Sequence, residues 1–207
     1  QVRLSTRSGS NDWHGSAAYG FRHEALAAND WFASSRGYDQ SPLRVNQWTA
    51  ALGGPVRRNK TFFFAAWEGL RLRSPYAWTG ATPSLTSRRD APPVLRQVLD
   101  AFPRPTGREL GGGLAEYIAR GSSPSRFDSG ALRIDHALTS RVALFGRFSE
   151  APSTTSFGYQ RIEEASFGSR SLTLGMNATT TQSLTVEARL RVARDTVESR
   201  WTGVDPA

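Results

Sequence analysis

The sequence predicts an all-β fold: a partial antiparallel transmembrane β-barrel of about seven strands with long extracellular loops. Three observations predict it. Apolar and polar residues alternate with period two over segments of about ten residues, the length a tilted strand needs to cross a bilayer. The connections between these segments alternate short and long along the chain. No stretch approaches the roughly 18 apolar residues of a membrane helix. The longest apolar run, Phe62-Phe63-Phe64-Ala65-Ala66-Trp67, stops at Glu68.

Composition narrows the function classes. Hydrophobic residues are only 38% of the 207, yet aromatics reach 11%, which suits apolar side chains spread along thin strands. The absence of cysteine excludes disulfide frameworks, cysteine zinc sites and thiol catalysis. A net charge of +8 raises nucleic acid as a partner. However, Lys60 is the one lysine among 26 basic residues, and the arginines are scattered, with no cluster longer than Arg57-Arg58 or Arg88-Arg89. No nucleic-acid partner is therefore expected.

The first strand sets Trp13, Gly15, Ala17, Tyr19 and Phe21 against His14, Ser16, Ala18, Gly20 and Arg22. A polar loop is expected over 23–42. The second strand runs over 43–52, and Gly53-Gly54-Pro55 is read as its turn. In the third, 61–70, aromatics fall on both sides. Placing Glu68 inward puts Phe63, Ala65 and Trp67 outward. The proline- and glycine-rich stretch 71–128 reads as a loop holding one helix over 93–101. A hairpin follows, with Leu132 and Ile134 opposite in facing to Arg133 and Asp135. Its return strand sets Val142, Leu144, Gly146 and Phe148 against Arg141, Ala143, Phe145 and Arg147. Asp135 and Arg141 flank this turn on one face, where an exposed salt bridge would contribute at most about 1 kcal/mol. After a loop over 150–169, Leu172, Leu174 and Met176 climb one face of the last hairpin. Leu184, Val186, Ala188, Leu190 and Val192 then alternate with Thr185, Glu187, Arg189, Arg191 and Ala193.

Alternation alone also fits a soluble sandwich, and the last strand decides between the two. A slip of one residue would turn Glu187, Arg189 and Arg191 into hydrocarbon, at a cost on the order of 5–10 kcal/mol. The strand never mixes its faces, a strictness that a sandwich does not require. The loop lengths agree. Short connections near 53–60, 137–140 and 179–183 alternate with long ones at 23–42, 71–128 and 150–169, as periplasmic turns alternate with extracellular loops.

Several motifs occur in a characteristic order. The opening Leu4-Ser5-Thr6-Arg7-Ser8-Gly9-Ser10-Asn11-Asp12-Trp13-His14-Gly15-Ser16 is followed by Ala28-Asn29-Asp30-Trp31-Phe32, Arg44-Val45-Asn46-Gln47 and Leu52-Gly53-Gly54-Pro55. Asn59-Lys60-Thr61-Phe62-Phe63-Phe64, Glu68-Gly69-Leu70-Arg71, Ala101-Phe102-Pro103, Arg133-Ile134-Asp135-His136 and Phe145-Gly146-Arg147-Phe148 complete the set. In this order they resemble Oar-like TonB-dependent outer-membrane receptors. The resemblance implies that 1–10 are the end of a plug domain and 11–207 the first strands of a plugged barrel of about 22 strands. It also implies energy supplied through the TonB complex and a large or scarce substrate moved across the outer membrane. Gln1-Val2-Arg3 reads as the middle of a strand rather than a signal peptide.

Site chemistry is sparse. His14, His23 and His136 lack metal-ligand spacing, no serine lies in a G-x-S-x-G elbow, and Gly111-Gly112-Gly113 lacks the Lys-Ser/Thr of a phosphate loop. Neither an enzymatic reaction, a metal nor a cofactor is expected. The candidate lumen-lining residues are His14, Arg22, Arg133, Asp135, Arg147, Glu187, Arg189 and Arg191, which either solvate the interior and bond the plug or touch substrate. Trp13 and Trp67 suit an interfacial aromatic belt, whereas Trp31 and Trp78, in long loops, are candidate ligand contacts. The competing expectation is a secreted, soluble β-sandwich that stacks sugars on those two tryptophans.

Overall fold

The computed structural model describes residues 7–29, 31–35, 40, 42–158, 161–180 and 184–203. The opening residues 1–6, and with them most of the expected plug junction, lie outside this set. Among the described residues eight strands form one antiparallel sheet: β1 His14–His23, β2 Arg44–Arg57, β3 Thr61–Pro83, β4 Glu109–Gly111, β5 Leu114–Ala137, β6 Val142–Phe157, β7 Arg161–Thr179 and β8 Thr185–Gly203. Spatial order follows chain order, β1-β2-β3-β5-β6-β7-β8, with the short β4 pairing only to the tip of β5. Among the described residues the α-helices are α1 Trp31–Ser35, α2 Leu85–Asp90 and α3 Pro93–Asp100, with a 3-10 turn at Glu24–Leu26, and no helix is long and apolar enough to cross a membrane.

Side chains alternate along a strand, and residues paired across a ladder share a face. The registers therefore sort every strand residue to one of two faces. Leu52, Phe63, Ala65 and Trp67 fall on the same side as Ala17 and Tyr19. Leu132 and Ile134 join them from β5, Leu144 and Phe148 from β6, Leu172, Leu174 and Met176 from β7, and Ala188, Leu190 and Val192 from β8. Glu68 falls on the opposite face, opposite Thr49 and Ser129, so the third strand faces as expected.

Among the described residues nothing covers the apolar face. Among the described residues, the only buried hydrophobic ones are Ala91, Ala115, Ala119 and Ala165, while Leu132, Leu174 and Leu190 are 44%, 48% and 64% exposed. A soluble sandwich would bury this face against a second layer. Among the described residues there is a single sheet, and the sandwich expectation fails.

Charged residues bound the apolar band on the outward face. Going round the sheet from β3 through β5 to β8 the first ones met are Arg71, Asp128, Glu150, Arg170 and Arg194. Glu150, Arg170 and Arg194 are directly opposite one another, but their row continues through Gly130 to Trp67 and Ala50. The border thus steps down along the strands from β3 to β6, as strands tilted in a barrel wall require. Between border and turn each of these five strands keeps about nine residues free of outward charge, close to the span a tilted strand needs.

The expected loops over 71–128 and 150–169 are largely strand. β3 and β5 continue as a paired hairpin to Pro83 and Leu114, and β6 and β7 pair as far as Phe157 and Glu163. β3 is 23 residues long, so about 12 residues, roughly 40 Å, stand beyond the band. In water neither face of a ladder must be apolar, so the alternation that reveals a membrane strand disappears while the hydrogen bonds persist. The tip is capped by α2 and α3. The Ser84 hydroxyl accepts from Ser87 N–H at 3.1 Å, and the Arg88 guanidinium donates to the carbonyls of Phe102 and Pro103 at 2.9 and 2.8 Å. Helix α3 falls where the sequence placed one; α2 was not anticipated.

Two further expectations change. Gly53-Gly54-Pro55 is no turn, because β2 runs on to Arg57. Both glycines are buried because aromatic rings lie where their side chains would be: a Cβ on Gly53 would meet the His14 ring at 3.0 Å, and one on Gly54 the Trp13 indole at 2.7 Å. The chain reverses instead at 57–60. There Lys60 N–H donates to Arg57 C=O, and Asn59 takes a left-handed φ of 56°. Asn11 holds this turn, its amide donating to Asn59 Oδ1 at 2.6 Å while its own Oδ1 accepts from Asn59 N–H at 2.7 Å.

Candidate functional site

All eight predicted lining residues lie on the face opposite the apolar band. Six of them gather on β5, β6 and β8. Arg133, Arg147 and Arg191 occupy one cross-strand row, with Thr173 of β7 between the last two. The next row reads Asp135, Phe145, Gly175, Arg189, and Glu187 follows Arg189 two residues along. Adjacent strands are about 4.8 Å apart, so the patch is about 14 Å wide. His14 lies in the same row as Arg133, three strands away through Gly53 and Phe64. Arg22 is not part of the patch: eight residues up β1, it sits about 27 Å from His14.

The patch is built around an aromatic ring, Phe145, which stands among the polar positions of its strand. The Phe145 ring covers Gly175, where any Cβ would collide with it. The guanidinium carbons of Arg133 and Arg189 stand 4.3 and 5.8 Å from its centroid. Partly desolvated cation–π contacts of this kind contribute about 0.5–2 kcal/mol each. The clue in the sequence was a large aromatic in the series Arg141, Ala143, Phe145, Arg147, next to a strand glycine.

Ion pairing further fixes two of the arginines. Arg133 grips Asp135 with bonds of 2.6 to 3.1 Å, at side-chain exposures of 17% and 21%, and Arg189 pairs with Glu187. The expected bridge from Asp135 to Arg141 is replaced, because Arg133, two residues away on the same face, meets the carboxylate within its own strand. Arg147 and Arg191 have no ion-pair partner among the described residues. Four arginines against two carboxylates leave a surplus of about two positive charges on this face.

The two candidate ligand tryptophans stand apart from this patch. Trp31 opens α1 and is 71% exposed. Trp78 is not in a loop but in β3, on the inward face opposite Ala119, 6.5 Å from Tyr117. Among the described residues no group of three acidic, histidine or cysteine side chains is arranged to hold a metal ion. His136 bonds Thr61 at 2.9 Å, and His23 accepts from Ala25 N–H at 3.1 Å.

An uncovered apolar band, a charged opposite face and tall hairpins at one end are the features of an outer-membrane barrel wall. The profile of the outer membrane beta barrel domain matches residues 5–205. The chain belongs to this family. No curated protein and no solved structure matches it. The protein is therefore placed in the bacterial outer membrane, the apolar band of this barrel domain facing lipid and its arginine patch lying on the opposite face. Two aromatic pairs stand at the two ends of the apolar band, where barrels of this kind carry their aromatic girdles. Trp13 and Phe63 meet edge-on at 5.5 Å near the short turns, and Trp48 and Trp67 stand 5.6 Å apart toward the long hairpins.

Proposed function

We propose that this barrel domain is part of a plugged, TonB-dependent transporter that moves a large or scarce substrate across the outer membrane. The observation that carries the reading is the inward patch of Arg133, Arg147, Arg189 and Arg191 around Phe145. A water-filled pore needs no cation–π cluster, whereas a folded plug or an anionic substrate would find bidentate guanidinium donors there. The order of sequence motifs, from the plug-like opening to the strand of Arg147, supports the same reading. The chain's residues supply binding and orientation, the TonB complex supplies energy, and no enzymatic reaction or cofactor is involved.

The test is electrical. The full-length protein in a planar bilayer is expected to be closed to ions and to open when mild urea unfolds the plug. Charge reversal at Arg147 and Arg191 to glutamate is expected to lower the urea needed. A steady open conductance without denaturant would refute the plugged transporter and leave a porin.

A further inference from the structure

A second group of arginines stands on the outward face, just above the apolar band. Arg71 is opposite Arg126 across β3 and β5, and Arg44 is opposite Arg73 across β2 and β3. With Asn46, Pro124, Thr154 and Ser156, they line a shallow concavity of about 430 Å³. Two carboxylates touch the group. Asp128 takes both oxygens to Arg71 at 3.0 Å and accepts from Arg126 Nε at 3.0 Å, and Glu24 lies 3.8 Å from Arg44. Burial draws the Asp128 carboxyl upward, but the hydrogen bonds and charges of Arg71 and Arg126 outweigh it, so it titrates below its ordinary value and stays ionised.

Arg71 is fully committed, bonded also to two backbone carbonyls and stacked 5.0 Å from the Trp48 ring. Arg44 and Arg126 have side chains 52% and 64% exposed, and Arg73 has no ion pair among the described residues. Four guanidiniums against two carboxylates leave a surplus of about two positive charges. The surplus is local. Farther round, the same rows carry Ser166 and Glu198, then Glu164 and Arg200.

Position identifies the ligand. Below the concavity lie Gly69, Trp48, Trp67 and the apolar band, so a molecule seated here meets hydrocarbon on one side and guanidinium on the other. We propose that this concavity binds the phosphate-bearing headgroup of an anionic lipid in the leaflet at the long-hairpin end. Its acyl chains would lie along the outward face of β3 and β5. Arginine presents paired donors to phosphate oxygens, and clustered basic side chains at the headgroup level recognise anionic lipids. The proposal needs only the barrel's orientation in the membrane, not the transport reading.

The full-length protein in detergent, titrated with lipid A as the probe, tests it by retained lipid in native mass spectrometry. Wild type is expected to prefer lipid A to its dephosphorylated form, and inorganic phosphate is expected not to displace it. The double variant R73Q/R126Q, checked for folding by heat-modifiable gel migration, is expected to bind lipid A about thirtyfold more weakly. Equal binding of the dephosphorylated lipid by wild type, a comparison that needs no variant, would overturn the proposal. Displacement by inorganic phosphate would mean a soluble-anion site and overturn it too, as would a folded double variant with unchanged affinity.

Discussion

The two-faced wall can be tested by placing one arginine at neighbouring positions of β5. Leu132 is outward, near the middle of the uncharged span, and 44% exposed among protein atoms. Ala131 is inward, opposite Ala66 and Ser149, and two residues from Ser129, the partner of Glu68. Gly130 is outward, in the row of Glu150 at the upper border, and a Cβ there meets nothing within 4 Å. An arginine facing lipid near the midplane costs about 2–4 kcal/mol, and about 0–1 near the interface. Leu132→Arg should therefore lower the folding constant about thirty- to eight-hundredfold. Gly130→Arg should cost at most about 1 kcal/mol, because its headgroup reaches the interface and Glu150 stands opposite. Ala131→Arg should be near neutral, since Glu68 is within diagonal reach, about 7–8 Å. The assay is equilibrium unfolding of the full-length protein in lipid vesicles, followed by tryptophan fluorescence. Equal losses at Ala131 and Leu132 would refute the assignment of faces. Equal losses at Gly130 and Leu132 would refute the membrane border and favour an ordinary protein core.

Other perturbations probe particular contacts. Gly69→Leu drives a side chain into the Trp48 indole; a loss of about 1–3 kcal/mol and a shifted emission maximum are expected on denaturant titration. Asn59→Val at a φ of 56° should cost about 1–2 kcal/mol, whereas Asn59→Gly should lose little beyond the side-chain bond to Asn11; the unfolding midpoints of the two variants are compared directly. Ser84→Ala removes the cap of α2, about 1 kcal/mol. That loss should appear as faster proteolysis within 84–113 while the barrel midpoint stays unchanged.

How much was legible in the sequence follows from where each segment sits. Within the bilayer, hydrocarbon on one face and a polar environment on the other enforce period two, so the strands around Tyr19, Leu132, Leu174 and Leu190, and the placing of Glu187, Arg189 and Arg191 opposite the apolar face, can be read directly. The sequence by itself determined the all-β class, the membrane-crossing lengths, the two faces and the helix near 93–101. Tertiary structure alone decided what lies in water or depends on neighbours. The hairpin beyond Arg71 carries no alternation because water accepts either face. Gly53 and Gly54 read as a turn because a glycine's reason, the close approach of His14 and Trp13, lies on another strand. Asp135 chose Arg133 over Arg141, and Phe145 became the centre of the arginine patch, because register sets which side chains meet across strands, and register is a property of the assembled sheet.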